Sequence, residues 1–285
     1  MPKSKINLPR LLLAKVRDGD FAHAGDKEAI DIVLNKTKQL IKKNPTEKKE
    51  ALDAGCGLGG TACAFQDSGF DVNGIDSDAA AIEHAKKHYP HIPFIEGDIL
   101  KIAEIFPKKH FSLIYLFNVF YALKERQRES LHHLAKIAKP GAILVIFDYT
   151  HRNLDKPHGL IDLAGTPMAP IVPGLLHKWL EETGWEIVEE TDLSPQFKQW
   201  YSDFLIKFEN KREELLQQFT QEAFDKVYDT FSQLLKQLNA EIIGGTAVYA
   251  RRTNQNPSSF FATNCEGKQT VSPTGVISTH IKANL

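Results

Sequence analysis

The stretch EALDAGCGLGG, Glu50 to Gly60, places four glycines in six positions. Glycine is used this densely where backbone passes close to a bulky group, because it has no Cβ to clash. Gly55, Gly57 and Gly60 fit the G-x-G-x-x-G spacing of nucleotide-binding loops, a pattern that alone does not say which nucleotide is bound. Asp76 follows the first glycine by about 20 positions, the distance at which an acid grips a ribose diol. A carboxylate suits that task because it accepts a hydrogen bond from each hydroxyl. Ser77 or Asp78 then stands ready to cap the next helix. Asp53 precedes the glycines, and Asp98 and Asn118 end later apolar runs. Ligands of open α/β sheets gather at the carboxyl ends of strands, which makes these residues the candidate site.

Strands and helices must bring them together. Ile30, Val33, Leu34, Thr37, Leu40 and Ile41 recur at helical spacing between Asp26 and Lys43, with Gly25-Asp26 as the start and Asn44-Pro45 as the stop. Strands are predicted at 51–54, 72–75 and 94–96, with helices at 59–68 and 79–88 between them. FSLIYLFN (Phe111 to Asn118) and AILVIFD (Ala142 to Asp148) are continuous apolar runs, as in strands buried on both faces of a parallel sheet. The helix between them carries a stripe of Leu131, Leu134, Ala135 and Ala138 and stops at Lys139-Pro140-Gly141. His132 and His133 beside that stripe read as solvated, since adjacent helical positions do not converge. The alternation predicts a doubly wound, mostly parallel α/β sheet.

Beyond Asp148 the pattern changes. The Pro/Gly-rich segment 151–174 reads as a lid loop. A helix at 175–183, a strand at 185–189, a helical insertion at 195–240 and a last strand at 246–251 follow. Residues 1–49 form an N-terminal helical cap segment and 50–252 the α/β domain. Residues 253–285 are polar and predict a loosely ordered tail.

Composition narrows the function. Lys and Arg total 35 against 36 Asp and Glu, so no general polyanion-binding field exists and no nucleic acid partner is expected. Three cysteines without metal-type spacing suit a reducing, cytoplasmic setting, and Cys56 and Cys63 read as small hydrophobes. No metal cluster is expected. No apolar run is long enough to insert in a membrane, and Leu11–Leu13 is too short for a signal-peptide core.

In order along the chain, LDAGCGLGG, GIDSD, EGDIL, FSLIYLFNVFYAL and AKPGAILVI resemble the successive motifs of class I adenosylmethionine-dependent methyltransferases, over roughly Ala51 to Asp148. The resemblance implies a Rossmann-like methyltransferase fold with helical cap insertions and S-adenosyl-L-methionine as cofactor. By that resemblance Gly55 and Gly57, with Cys56 between them, pass the methionine part, and Asp76 with Ser77 holds the ribose. Asp98 with Ile99 reads the adenine, and Asp53 braces the loop and faces the ammonium end. Asn118 is either a cap for the next element or a further cofactor contact. FAHAGDKEAIDIVL is similar to the H-P-G-G-type entry of bacterial small-molecule methyltransferases, with Ala24 in place of proline. Asn118-Val119-Phe120-Tyr121 stands where nucleic-acid amine methyltransferases carry N-P-P-aromatic.

The expected substrate mouth lies before the first domain helix, after strand four and after strand five. His23, Tyr121, Tyr149 and His151 fall there, and Tyr201 belongs to an aromatic face with Trp200, Phe204 and Phe208. Methyl transfer is an in-line displacement in which the protein supplies position and electrostatics. An amine must arrive unprotonated, and His151 or Tyr149 is the candidate proton acceptor. Segments 151–173 and 197–239 are expected to roof the strand ends, with Tyr149 and His151 pointing inward. The expected partner is a small-molecule methyl acceptor, an amine or a hydroxyl compound, and the chain is a monomer or homodimer. Two other readings share the loop: an NAD(P)-dependent oxidoreductase, and a cofactor-binding protein without chemistry.

Overall fold

The computed structural model describes residues 8–41, 49–108 and 110–254. The predicted stop at Asn44-Pro45 and nearly all of the polar tail lie outside the described residues. Seven strands make one sheet in the order β3-β2-β1-β4-β5-β7-β6. They are β1 (Glu50–Ala54), β2 (Asp71–Asp76), β3 (Phe94–Glu96), β4 (Phe111–Phe117), β5 (Ala138–His151), β6 (Trp185–Asp192) and β7 (Ile243–Arg252). The first five pair in parallel, and β7 runs antiparallel between β5 and β6. The order reverses direction at β1 and β4. That switch opens a crevice at the carboxyl ends of the central strands.

Ten helices among the described residues flank the sheet: α1 (Leu8–Arg17), α2 (Asp26–Leu40), α3 (Gly60–Asp67), α4 (Ala79–His88), α5 (Ile102–Ile105), α6 (Gln127–Lys136), α7 (Pro173–Glu182), α8 (Ser194–Asn210), α9 (Arg212–Gln218) and α10 (Gln221–Asn239). Two apolar clusters result, one on each face of the sheet. One holds α5, α6 and α7 against the sheet and buries Leu131, Leu134 and Trp185. The other runs from α2 and α3 out past the strand ends into α1, α8 and α10, so the cap shares a core with the domain.

Several boundaries differ from the sequence reading. Ala138 belongs to β5, where it pairs with Phe111 before a bulge at Lys139-Pro140-Gly141, so α6 stops at Lys136. Continued pairing with β7, as far as His151 with Ile243, carries β5 beyond Asp148. The helical insertion is three helices, and the Thr220 hydroxyl restarts the chain by accepting from the Ala223 amide at 3.2 Å. Its apolar stripe, including Val227, Phe231, Leu234 and Leu238, is buried within the chain. Gly244 and Gly245 of β7 let α8 sit directly on the sheet. A Cβ on Gly245 would lie 2.2 Å from the Phe197 ring. His132 and His133 are half-buried, and burial holds both imidazoles below their usual range, His132 at about 4.

Candidate active site

The glycine loop turns sharply over the end of β1. Gly55 and Gly57 both take positive φ, +93° and +51°. A Cβ on Gly55 would come within 2.4 Å of Val119, whereas one on Gly57 would meet no atom within 4 Å. Gly57 faces a cavity of about 560 Å³, within the usual range for ligand sites. Gly55, Asp76, Ser77, Asp98, Ile99 and Asn118 line the same cavity, and so do Tyr121 and Tyr149. Most of the sequence-predicted residues are therefore brought to one place.

The loop amides show what kind of ligand fits. Gly55 and Cys56 donate to the Ile75 carbonyl at 2.7 and 3.0 Å, and Gly57 donates to Asp76 Oδ2 at 2.9 Å. A pyrophosphate-binding loop leaves such amides free for the anion. Here all three are engaged within the protein, and a second carboxylate, Asp53, lies buried behind the loop. Burial, reinforced by the negative charge of Asp76, pushes the Asp53 carboxyl well above its ordinary range, and its Oδ2 has no hydrogen-bond partner. A loop with spent amides and the Asp76 carboxylate at the cavity disfavours a dinucleotide pyrophosphate and suits a cofactor that is cationic and phosphate-free. The Gly57 cradle and Asp76 fit S-adenosylmethionine.

At the far end, Asp98 Oδ1 accepts from the Leu100 amide at 2.9 Å and Oδ2 from Arg126 at 3.1 Å. Burial alone would raise the Asp98 carboxyl, but these two donors hold it below its ordinary range. Asn118 adopts φ +50°, accepts from the Ala24 amide at 2.9 Å and donates to Asp148 at 3.5 Å. It ties three chain segments together while still facing the cavity.

Other expected residues lie elsewhere. His23 is buried outside the cavity, where its Nδ1–H donates to the Ala24 carbonyl and Nε2 accepts from Thr61, each at 3.0 Å. Burial lowers its pKa to about 4, so the ring is neutral. Cys56 lies beneath the loop, and burial, with Asp53 and Asp76 nearby, pushes its thiol up. Tyr201 also lies outside the cavity, stacked on Phe231 with centroids 5.5 Å apart, and its hydroxyl bonds that of Tyr149. His151 does not point inward. It stands beyond the cavity at the end of β5, and its Nε2–H donates to the Lys156 carbonyl at 2.9 Å. The expected aromatic face of α8 packs into the core instead, with Phe208 against Phe224 and Arg17 over Phe204.

The roof is built from α1, the lid loop and α10, through Arg10, Leu13, Leu160, Met168, Phe231 and Leu234. The amphipathic pattern of LPRLLLAKVR was the available signal for α1. Asp148 was also missed, although it ends a predicted strand. It is fully buried, accepts from the Tyr149 and Tyr121 amides at 2.7 and 3.1 Å, and burial raises its pKa to about 7.

A family model described as a methyltransferase domain matches residues 23–190. The chain belongs to the S-adenosylmethionine-dependent methyltransferases. Demethylmenaquinone methyltransferase of Paenarthrobacter aurescens (strain TC1) is 25% identical over 171 residues, 51% of this chain and 66% of that relative. Norajmaline N-methyltransferase of Rauvolfia serpentina is 29% identical over 122 residues, 40% of this chain and 41% of that one. Among solved structures, phosphoethanolamine N-methyltransferase 2 of Haemonchus contortus, in complex with S-adenosylhomocysteine, superposes with a TM-score of 0.71 at 16% identity. That match covers 89% of this chain and 59% of the other. A cyclopropane synthase of Mycobacterium tuberculosis gives 0.70 at 15% identity, covering 87% and 95%. At such identities the methyltransferase structures share the fold alone. Among the described residues, no helix is long and apolar enough to cross a membrane.

Proposed function

We propose that this protein transfers the methyl group of S-adenosylmethionine to a small acceptor with an apolar body, presented as a neutral amine between Tyr121 and Tyr149. The lining of the acceptor half of the cavity carries this reading. Leu13, Leu160, Leu163, Met168 and Phe231 wall it, and Tyr121 and Tyr149 meet edge to face at 5.5 Å. The two lining guanidiniums are already paired, Arg10 with Asp78 and Arg126 with Asp98, each at 3.1 Å. A phosphorylated or carboxylated acceptor would meet guanidiniums whose charge is already countered by a carboxylate.

When bound, the cofactor supplies an electrophilic methyl carbon on a sulfonium. Gly57 would leave room for its methionine part, Asp76 would accept from the ribose, and Asp98 with Ile99 would contact the adenine. Burial raises the phenols of Tyr121 and Tyr149 far above neutrality. They are held protonated, so Tyr149 orients the acceptor by hydrogen bonding and does not take its proton. Asp162 also lines the cavity, but the Ala164 and Thr166 amides and the Thr166 hydroxyl occupy its oxygens. Among the described residues the lining holds no histidine, and an apolar wall helps by favouring the neutral amine, since desolvation disfavours its charged form. With the cofactor bound, the amine would take the methyl carbon through its lone pair while the carbon–sulfur pair stays on sulfur. The protonated product would lose its proton to water after release, so these residues would need only to position and desolvate the amine. Hydroxyl acceptors, which need a base, are the poorer class. Two cysteines free in the structure support a reducing, cytoplasmic setting for this reaction.

Transfer of labelled methyl to a panel of apolar amines, apolar alcohols and phosphorylated amines tests the proposal. Apolar amines should turn over fastest, and Tyr149→Phe should raise their KM with cofactor affinity unchanged. Turnover confined to phosphorylated acceptors would overturn it.

A further inference from the structure

Away from the cavity, the segment between α1 and α2 meets α4 at a cluster of three side chains. His84 and His88 stand four positions apart on α4, so both project from one helix face. Their rings stack at 3.9 Å between centroids, 23° from parallel. Asp20 comes from the other side, with His84 Nε2 3.0 Å from its Oδ2. One donor atom from each of the three lies within 4.8 Å of the other two. The Asp20 and His84 side chains are well sheltered, at 17% and 13% exposure.

The remaining hydrogen bonds aim the donors. His88 Nδ1–H donates to the His84 carbonyl at 2.9 Å, which fixes the tautomer with a lone pair on Nε2. The Tyr89 hydroxyl donates to Asp20 Oδ2 at 2.9 Å and anchors that carboxylate. Ligand residues of transition-metal sites are held by outer hydrogen bonds of this kind. An isolated Asp–His ion pair would require neither the second imidazole nor its orientation.

We propose that Asp20, His84 and His88 bind a zinc-type divalent transition metal ion that clasps the N-terminal segment onto α4. Zinc takes three protein donors with a water in the fourth position, at about 2.0–2.2 Å for nitrogen and oxygen ligands. The three donor atoms, now within 4.8 Å of one another, would draw together around the ion. Two imidazoles and one carboxylate select zinc, nickel or copper over magnesium or calcium, which favour all-oxygen shells. The residues between the histidines are Ala85, Lys86 and Lys87, so the helix is not an H-E-x-x-H metalloprotease motif, and the proposed role of the ion is to fasten the two segments. Arg10 of α1 already pairs with Asp78 at the start of α4. The metal adds a second fastening between the cap and that helix.

Calorimetry of the chelator-stripped full chain with zinc, and the visible spectrum with cobalt, test the site. One ion per chain at micromolar affinity or tighter is expected, with a four- or five-coordinate cobalt spectrum and no comparable heat from magnesium. Affinity should fall at least tenfold in both His84→Ala and His88→Ala. His88 is exposed, so His88→Ala keeps the test valid if His84→Ala folds poorly. Failure to take up zinc, or uptake that His88→Ala leaves unchanged, would overturn the proposal.

Discussion

Asp76 holds the glycine loop as well as facing the cavity, because its two oxygens accept from the Gly57 and Asp78 amides. Replacing it by Ala removes both supports together with the proposed ribose contact. A charge-assisted bond of this type contributes about 1.5–3 kcal/mol, so cofactor affinity measured by calorimetry should fall at least tenfold. Unchanged affinity would exclude the ribose role. Two buried titratable residues set opposing pH dependences. Asp148, raised from 3.8 to about 7, binds its proton more tightly folded than unfolded, so its contribution to stability declines as pH rises between those values. His23, lowered from 6.5 to about 4, does the reverse, and its contribution is lost as pH falls through that window. The slopes oppose one another between about pH 4 and 6.5. Urea unfolding of Asp148→Asn should therefore show stability rising with pH more steeply than wild type, and His23→Gln should show it rising less. Parallel curves for all three proteins would refute the assignment.

The joint between β4, β5 and the chain entering α2 rests on one asparagine. Asn118 ties Ala24 to Asp148 across the carboxyl edge of the sheet, and its φ of +50° is a conformation that Asn and Gly tolerate and Ala does not. Loss of these ties should cost about 1–3 kcal/mol. Asn118→Gly keeps the backbone geometry, so Asn118→Ala should be the less stable of the two, against the usual order of these residues. Thermal unfolding of the pair checks this, and an Ala variant as stable as Gly would show that the turn is not strained. The same joint explains the reach of β5. Pairing with β7 extends the strand and sets Tyr149 at the cavity wall, while His151 passes beyond it.

At the level of the whole molecule, cap and domain share one core, so a ligand held between them stabilises both. S-adenosylhomocysteine at 100 times its dissociation constant should add about 2.7 kcal/mol. For a chain of this size that corresponds to a rise in Tm of roughly 4–5 °C. Nicotinamide dinucleotides should give no shift, because the loop amides that would bind their pyrophosphate are engaged by Ile75 and Asp76. A scanning-fluorimetry series with the two ligand classes distinguishes these outcomes, and a shift with dinucleotide alone would reverse the cofactor assignment.

Much of the α/β framework was legible in the sequence because it is written locally. Apolar runs such as FSLIYLF bury themselves on both faces wherever the sheet places them, Gly55 and Gly57 announce the loop by their type, and Asp78 caps α4 through bonds to amides two and three residues away. Asp76, Asp98 and Asn118 line the cavity as expected of strand-end positions, because that position follows from the strand itself. Local pattern could not say which side chains would face the cavity. That depends on what packs against each one from far along the chain. Thr61 and the Ala24 carbonyl take up both ring nitrogens of His23, and Tyr201 is buried by Phe231 while Phe231 reaches the lining. Arg10 and Leu13 become roof only because α10, more than 200 residues later, packs against α1. Asp20 meets His84 and His88 for the same reason: periodicity fixes the face a side chain takes on its own element, and only tertiary packing fixes its partner.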